Sequence, residues 1–529
     1  MTTVDLTADV FVAGGGPAAT WAALKAAEAG ADVVLADKGY CGTSGATASA
    51  GTGVWYVPPE PAAREAAMAE REALGGRLSD RRWMARVLDQ TYEGVNELAG
   101  AGRYPFPVGP NGNELRTGLQ GPEYMRRMRT RIRRAGVRIL DHSPVTELLT
   151  DGRGAVAGAA GHRRQAGQDY RVRAGSVVLA TGGCAFLSKA LGCNVNTGDG
   201  ALFAVEVGAE LSGMEFSNAY GIAPDNTSVT KSAFYNYATF YRADGTVLEG
   251  AGSQRGRSVI ARTLLHEKVF CRLDLADDYA QRAMRLAQPN FFLPFDRMGV
   301  NPFTDLFAVT LLAEGTVRGT GGIRITGDDC ATTVPGLYAA GDAATRELIC
   351  GGFTGGGSRN AAWAISSGTW AGTAAATHAR SLGHGATGRR LHAAGQAGLR
   401  PTGSPGVEGD VADVVSTVQQ EVLPYDKNYL RTGGGLTGSL AVLDTTWSAL
   451  RTSLRGQGAD AVRAREAAAM VAHARWMYSS ALARTETRGM AKRLDFPDQD
   501  PQQHHRILSG GLDTVWTRPE APAAQAVAV

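Results

Sequence analysis

A chain of 529 residues is longer than one hydrophobic core usually supports, and 44% hydrophobic with 20% charged residues excludes a largely disordered protein. Lys and Arg number 54 against 51 Asp and Glu, and this net charge of +3 excludes nucleic acid as an expected partner. Six scattered cysteines without a C-x-x-C pair exclude an iron–sulfur or zinc centre, and no apolar run approaches the ~18 residues of a membrane helix, so the expectation is a cytoplasmic, metal-free protein with reduced thiols and no membrane contact.

From Asp9 to Lys38 the chain reads as an apolar strand, a glycine turn, a helix from Ala18 to Ala29 and a second strand from Val33 to Ala36, which is one βαβ unit. The turn Gly14-Gly15-Gly16-Pro17-Ala18-Ala19 fits G-x-G-x-x-G/A. Gly14 permits the sharp turn, Gly16 lets backbone N–H groups approach a pyrophosphate, and the helix that begins at Pro17 and Ala18 adds a favourable dipole. Asp37 follows Gly16 by about 20 residues at the end of the next strand, where a carboxylate accepts hydrogen bonds from an adenosine ribose.

Two later strand signals, Ser176 to Ala180 and Gly336 to Ala340, are expected to return the chain to the same sheet. They run into Thr181 and Gly182, and into Gly341 and Asp342. Ala180, Thr181, Gly182 and Gly341 then supply the extra contacts that FAD needs beyond those of NAD, with Asp342 reaching the ribitol hydroxyls. The glycine-rich turn Gly351 to Asn360 enters a helix, placing Ser358, Asn360 and the helix dipole toward the flavin. Between these strands, Glu215 to about Gly319 is richer in aromatics and reads as an inserted domain. From His384 to Asp410 the composition is that of a linker, Val411 to Arg484 has helical periodicity, and the last 13 residues read as a disordered tail.

Seven motifs in order carry a resemblance: GGGPAA; KGYCGTSGATASAGTG after Asp37; LATGG followed by NTGDGALFAVEVGAELSGMEF; GRSVIARTLLHE; TGGIRI; TTVPGLYAAGD; and RTETRGMAKRLDFPDQD. Over nearly its whole length the chain resembles the succinate dehydrogenase/fumarate reductase flavoprotein family, which includes L-aspartate oxidase. The resemblance implies an α/β fold, a Rossmann-like FAD-binding domain (1–215 and 320–383) interrupted by an α+β capping domain (216–319). A linker and helical C-terminal domain (384–516) and a disordered tail (517–529) follow. Lys38, Ser44, Ala46, Thr47, Gly51 and Gly53 in the second motif, and Asp199 in the third, become cofactor-binding candidates. Ala46 stands where some members carry the histidine that attaches flavin covalently, so the expected FAD is non-covalent.

In the stretch that looks like GRDVVARAI, Arg257 takes the place of the family's proton-donating arginine. Tyr220 replaces the histidine that follows MEF in dicarboxylate enzymes and is the second catalytic candidate. Val317 replaces the histidine before TGG, and Thr354 replaces the arginine of the glycine turn. Arg359 lies close by, and it and Thr354 are the substrate candidates. A site for two carboxylates does not exchange bidentate arginine for threonine, so the expected reaction is CH–CH desaturation or C=C reduction of a small organic substrate other than succinate or fumarate. The alternative is a flavin oxidase or monooxygenase acting on an amine or specialised metabolite. No electron-transfer module is fused to the chain, which requires a separate donor or acceptor: NAD(P)H, O2 or a redox protein.

Overall fold

The computed structural model describes residues 3–102, 104–109, 111–230, 233–383, 385–403 and 410–521. Its centre is an eight-stranded sheet. The strand Thr3–Ala13 pairs in parallel with Val33–Ala36 on one side and with Gln168–Leu179 on the other, and Arg138–Leu140 extends the first edge. Alternate residues need not be polar here, because both faces are covered, and Val10 through Ala13 are fully buried. Strand Leu337–Ala339 pairs with Val177 to Leu179, so both later strand signals do join the first βαβ unit in one sheet. The first half of Gln168–Leu179 carries an antiparallel meander with Val156–Arg163 and Val145–Thr150.

Two helices, Pro17–Glu28 and Gly357–Ser381, pack on one face of this sheet. Ala18, Thr20, Trp21 and Ala22 of the first and Trp363, Ile365 and Ala375 of the second are buried. The first begins at Gly16, just beyond the carboxyl end of Thr3–Ala13, and the second at Gly356 in the glycine-rich turn, and both N-termini line one cleft.

Inserted between Gln168–Leu179 and Leu337–Ala339 is a second sheet of four antiparallel strands in the order Ala219–Pro224, Phe307–Glu314, Val269–Arg272 and Thr239–Tyr241. Phe234, Phe240, Phe291, Phe292, Phe295 and Phe307 give it a separate aromatic core. The high aromatic content seen in the sequence is this core, and with helices Arg257–Leu264, Asp278–Ala287 and Pro289–Met298 the insertion is an α+β cap.

The C-terminal part is built on helices Val411–Val422, Gly433–Ser453 and Ala459–Ala483. The last of these is buried on nearly every side, from Ala461 to Ala481, and its small residues allow that close packing. Two expectations need correction. The stretch expected as a linker sends His392–Ala393 back to pair with Leu149 and Thr150 as an edge strand of the central sheet, while residues 404–409 lie outside the described part. The expected disordered tail begins as strand Trp516–Pro519, paired with Ile507–Gly510. Charge holds it there: Arg518 meets Glu210 at 2.5 Å, and Glu520 meets Arg324 at 2.9 Å and Arg506 at 3.2 Å. Residues 522–529 of that tail lie outside the described part.

Candidate active site

Two cavities meet above the carboxyl ends of the central strands. The first runs along the sheet edge, and every cofactor candidate named from the sequence lines it, from Gly14 to Asn360. Gly14 ends the first strand at φ +120°, and a Cβ there would lie 2.2 Å from the Ala180 carbonyl oxygen. Only glycine lets the two strand ends approach so closely. At Gly16 a Cβ would meet nothing within 4 Å and would project into the cleft, leaving the N-terminus of Pro17–Glu28 open to an anion.

Asp37 is buried at the end of the second strand, its Oδ2 accepting from Ser44 Oγ at 2.6 Å and its Oδ1 from the Gly39 N–H at 3.2 Å. Burial pushes its carboxyl above the usual range, and the Ser44 and Gly39 bonds oppose that. Lys38 and Asp199 form an ion pair, and Lys38 Nζ also lies 3.1 Å from Glu466 and donates to Thr197 Oγ1 at 2.7 Å. Burial lowers the Lys38 ammonium, but Asp199 and Glu466 outweigh it and hold it above its ordinary value.

At the other end of the cleft, Asp342 Oδ1 accepts from Arg346 Nη1 at 2.6 Å and from Asn360 Nδ2 at 3.3 Å. Asn360 also donates to the Val317 carbonyl at 2.6 Å. The Asn360 Oδ1 and Asn196 Oδ1 atoms are buried without a hydrogen-bond partner, and both residues line the cleft. Orphaned polar atoms, a backbone turn open to an anion, and a carboxylate near each end fit a dinucleotide such as FAD.

The second cavity, about 420 Å³, lies among the cap, the glycine turn and the C-terminal part. Gln254, Arg318, Gly355 and Gly356 line both cavities and so form their boundary. Arg257 opens the cap helix Arg257–Leu264 and faces this cavity. Its guanidinium is fixed by the Tyr220 carbonyl (2.8 Å from Nη1) and the Ser253 carbonyl (2.6 Å from Nη2), while Nε is buried without a partner. Burial pulls Arg257 below its ordinary range; Tyr429 and Glu314 oppose the shift and Arg318 adds to it.

Of the remaining candidates, Thr354 and Arg359 lie outside the second cavity, and Tyr220 lines it with its hydroxyl turned away. Tyr220 lines the cavity wall, but its hydroxyl donates to the Val422 and Leu423 carbonyls at 2.9 and 3.0 Å and its ring meets Tyr425 and Tyr429 edge-on. Thr354 is buried and lines neither cavity, because its Oγ1 faces the Gly319 carbonyl at 3.3 Å. Arg359 lines the first cavity, donating to Ser358 Oγ at 3.0 Å over the Trp55 ring, and burial beside Arg71 pulls its guanidinium down to about 10.

Arg71, Arg318 and Lys492 escaped the sequence reading. Arg71 sits in a charge-rich helix, Pro61–Leu74, that looks solvated, yet it is 1% exposed and donates to the Thr354 carbonyl at 2.8 Å. Arg318 directly follows Val317, and this adjacency was the available signal.

Comparison with known proteins agrees with this geometry. The FAD binding domain family matches residues 9–220, and the fumarate reductase flavoprotein C-terminal family matches 429–512. L-aspartate oxidase of Streptomyces coelicolor is 28% identical over 378 residues, covering 64% of this chain and 63% of that protein, so the chain spans less than two thirds of this curated relative. Among solved structures, E. coli quinol fumarate reductase FrdA has a TM-score of 0.82 at 19% identity, covering 99% of this chain and 98% of its own. Adenylylsulfate reductase of Archaeoglobus fulgidus has a TM-score of 0.78 at 16% identity, covering 99% and 97%. At such identities the structural likeness establishes the fold. Among the described residues no group of His, Cys, Asp and Glu is arranged to hold a metal, no helix is long and apolar enough to cross a membrane, and all six cysteines are free and buried.

Proposed function

Since the chain belongs to the succinate dehydrogenase/fumarate reductase flavoprotein family, we propose that it is an FAD-dependent oxidoreductase acting on a small organic substrate in the second cavity. FAD bound in the first cavity supplies hydride exchange at N5. Asp37 holds the adenosine end, the turn at Gly16 the pyrophosphate, and Asp342 with Asn360 the ribitol end. The attachment is non-covalent, because Ala46 offers no nucleophile.

The observation that carries this reading is the placement of Arg257: a guanidinium held by two backbone carbonyls, facing a cavity whose other wall is the glycine turn of the cofactor cleft. Two carbonyls fix the plane of the group without neutralising it, and Arg318 beside it lowers its proton affinity further. That is the electropositive setting an arginine needs to pass a proton to the substrate carbon next to the one exchanging hydride. The Tyr220 backbone carbonyl orients Arg257, whereas the Tyr220 hydroxyl serves the junction with the C-terminal part. The substrate is other than succinate or fumarate, because Tyr220, Val317 and Thr354 stand at the family's histidine and arginine positions and none of them presents a cation. Electrons come from or leave to a separate carrier.

Anaerobic reduction of the holoprotein by dithionite, followed by addition of α,β-unsaturated acids or by air, tests this. Return of the oxidised flavin spectrum with an unsaturated acid, lost in Arg257→Ala, is the expected result. Reoxidation by air alone would favour the oxidase alternative. Acid precipitation should leave the flavin in the supernatant; yellow colour in the pellet would overturn the non-covalent assignment.

A further inference from the structure

The reading above leaves open what the second cavity selects, and its lining is unusual in charge. Arg255, Arg257, Arg318 and Lys492 face it against one carboxylate, Glu314. Among the described residues, the nearest acidic oxygen to any of these four cations is Glu314 Oε1, 3.8 Å from Arg318 Nε. Glu314 is itself engaged, accepting from Thr230 Oγ1 at 2.6 Å. Lys492 is pulled below its ordinary range by burial and by Arg262. Four cations gathered around one carboxylate in a partly desolvated cavity are costly, and an anionic ligand offsets that cost.

Shape and apolar lining narrow the class. A cavity of about 420 Å³ falls within the range that holds drug-sized ligands, well beyond a four-carbon diacid. Leu74, Phe353, Met490 and Tyr429 give it an apolar and aromatic wall. Resting on the proposed function, we infer that the substrate is an amphipathic organic anion, its carboxylate anchored by Arg318 and its apolar body packed on that wall.

Arg318 is the anchor because it alone among these cations lines both cavities. A methyl group built at Gly357, the first residue of the long helix, would lie 3.5 Å from Arg318 Nη1, so the guanidinium stands beside a helix N-terminus. An anion there meets the guanidinium and the helix dipole together. Thr354 withdraws from the cavity toward Gly319, so the cation comes from the segment Gly315–Arg318 instead of from the glycine turn. A carboxylate on Arg318 brings the adjoining carbons between the glycine turn and Arg257.

Difference spectra of the bound flavin test this directly, with the holoprotein titrated by trans-cinnamate, by the neutral cinnamamide and by succinate. Cinnamate should bind at least about 10-fold more tightly than either, and Arg318→Gln should weaken it about 10- to 100-fold with FAD content unchanged. Should Arg318→Gln fail to retain FAD, Arg318→Lys keeps the charge but loses the planar fork and should weaken cinnamate about 10-fold. Cinnamamide binding as tightly as cinnamate, or an arginine variant with unchanged affinity, would overturn the proposal while leaving the functional reading intact; succinate binding as tightly as cinnamate would overturn the proposal together with the exclusion of succinate. If no compound perturbs the flavin at all, the second cavity does not adjoin the cofactor and both fall.

Discussion

The two cavities share the wall at Gly355 and Gly356 but are built from different materials. The cofactor cleft is largely backbone: glycine turns, strand ends and two helix N-termini, with its charged groups satisfied within the protein, as in Lys38 with Asp199 and Asp342 with Arg346. The second cavity is largely side chain. Its cations come from the cap, from the segment after the cap sheet and from the C-terminal part, and among the described residues Glu314, 3.8 Å from Arg318 Nε, is their one close carboxylate. A large cofactor common to many proteins is held by main-chain geometry that tolerates little change, whereas a substrate is chosen by side chains that can be exchanged one at a time.

The sharpest way to break this contrast is at the glycines. Gly14→Val combines a left-handed backbone with a contact at 2.2 Å to Ala180, and should abolish FAD binding together with a large loss of thermal stability. A Cβ at Gly16 would meet no protein atom within 4 Å, and Gly16→Leu should give a folded protein devoid of FAD. The ratio of flavin to protein and the far-ultraviolet circular dichroism of both variants check this; a Gly16→Leu protein with full flavin would mean the pyrophosphate lies elsewhere.

Next in size is the second cavity itself. Arg257→Ala and Arg257→Lys should keep FAD and its spectrum but lower turnover of an accepted substrate by about 100-fold or more, the scale of general acid catalysis. Stopped-flow measurement of flavin reoxidation distinguishes this from a binding defect, and near-normal rates would remove Arg257 from the chemistry.

Tyr220→Phe should do much less. It removes a hydroxyl bonded to the Val422 and Leu423 carbonyls, so stability should fall by about 1 kcal/mol while turnover stays within a few-fold. Denaturant melts paired with turnover separate the two, and a loss of activity as large as that of Arg257→Ala would return the hydroxyl to the mechanism.

A separate, pH-dependent effect is expected at Glu347, a buried acid in the segment that leads into the glycine turn. Burial, with repulsion from Glu215, pushes its carboxyl up to about 8, and its Oε1 has no partner. The folded state therefore holds a proton that the unfolded chain releases at ordinary glutamate values. Its contribution is fully present below the unfolded value near 4.3 and is lost as pH rises through about 8. Glu347→Gln should melt progressively higher than the unmodified protein between about pH 5 and pH 8, seen by scanning calorimetry; a constant offset would mean that Glu347 does not titrate there.

Sequence alone picked out residues that the fold brings together along the first cavity. Gly14, Gly16, Asp37, Asp342 and Asn360 are legible because backbone recognition imposes local rules, namely a residue without Cβ at a tight turn or an acid at a strand end, whose spacing survives in the chain. Arg257 was legible through the motif around it, and the aromatic insertion announced the cap. Only the tertiary structure decided which side chains face the second cavity. Thr354 and the Tyr220 hydroxyl turn into the protein to satisfy carbonyls, and Arg359 goes to the cofactor side. Arg71 is buried in a helix whose composition reads as surface. Arg318 and Lys492, 174 positions apart in the chain, line one cavity only because the cap and the C-terminal part close over the same glycine turn. Spacing along the chain records what a local turn requires; it carries no record of which distant cations a fold brings together.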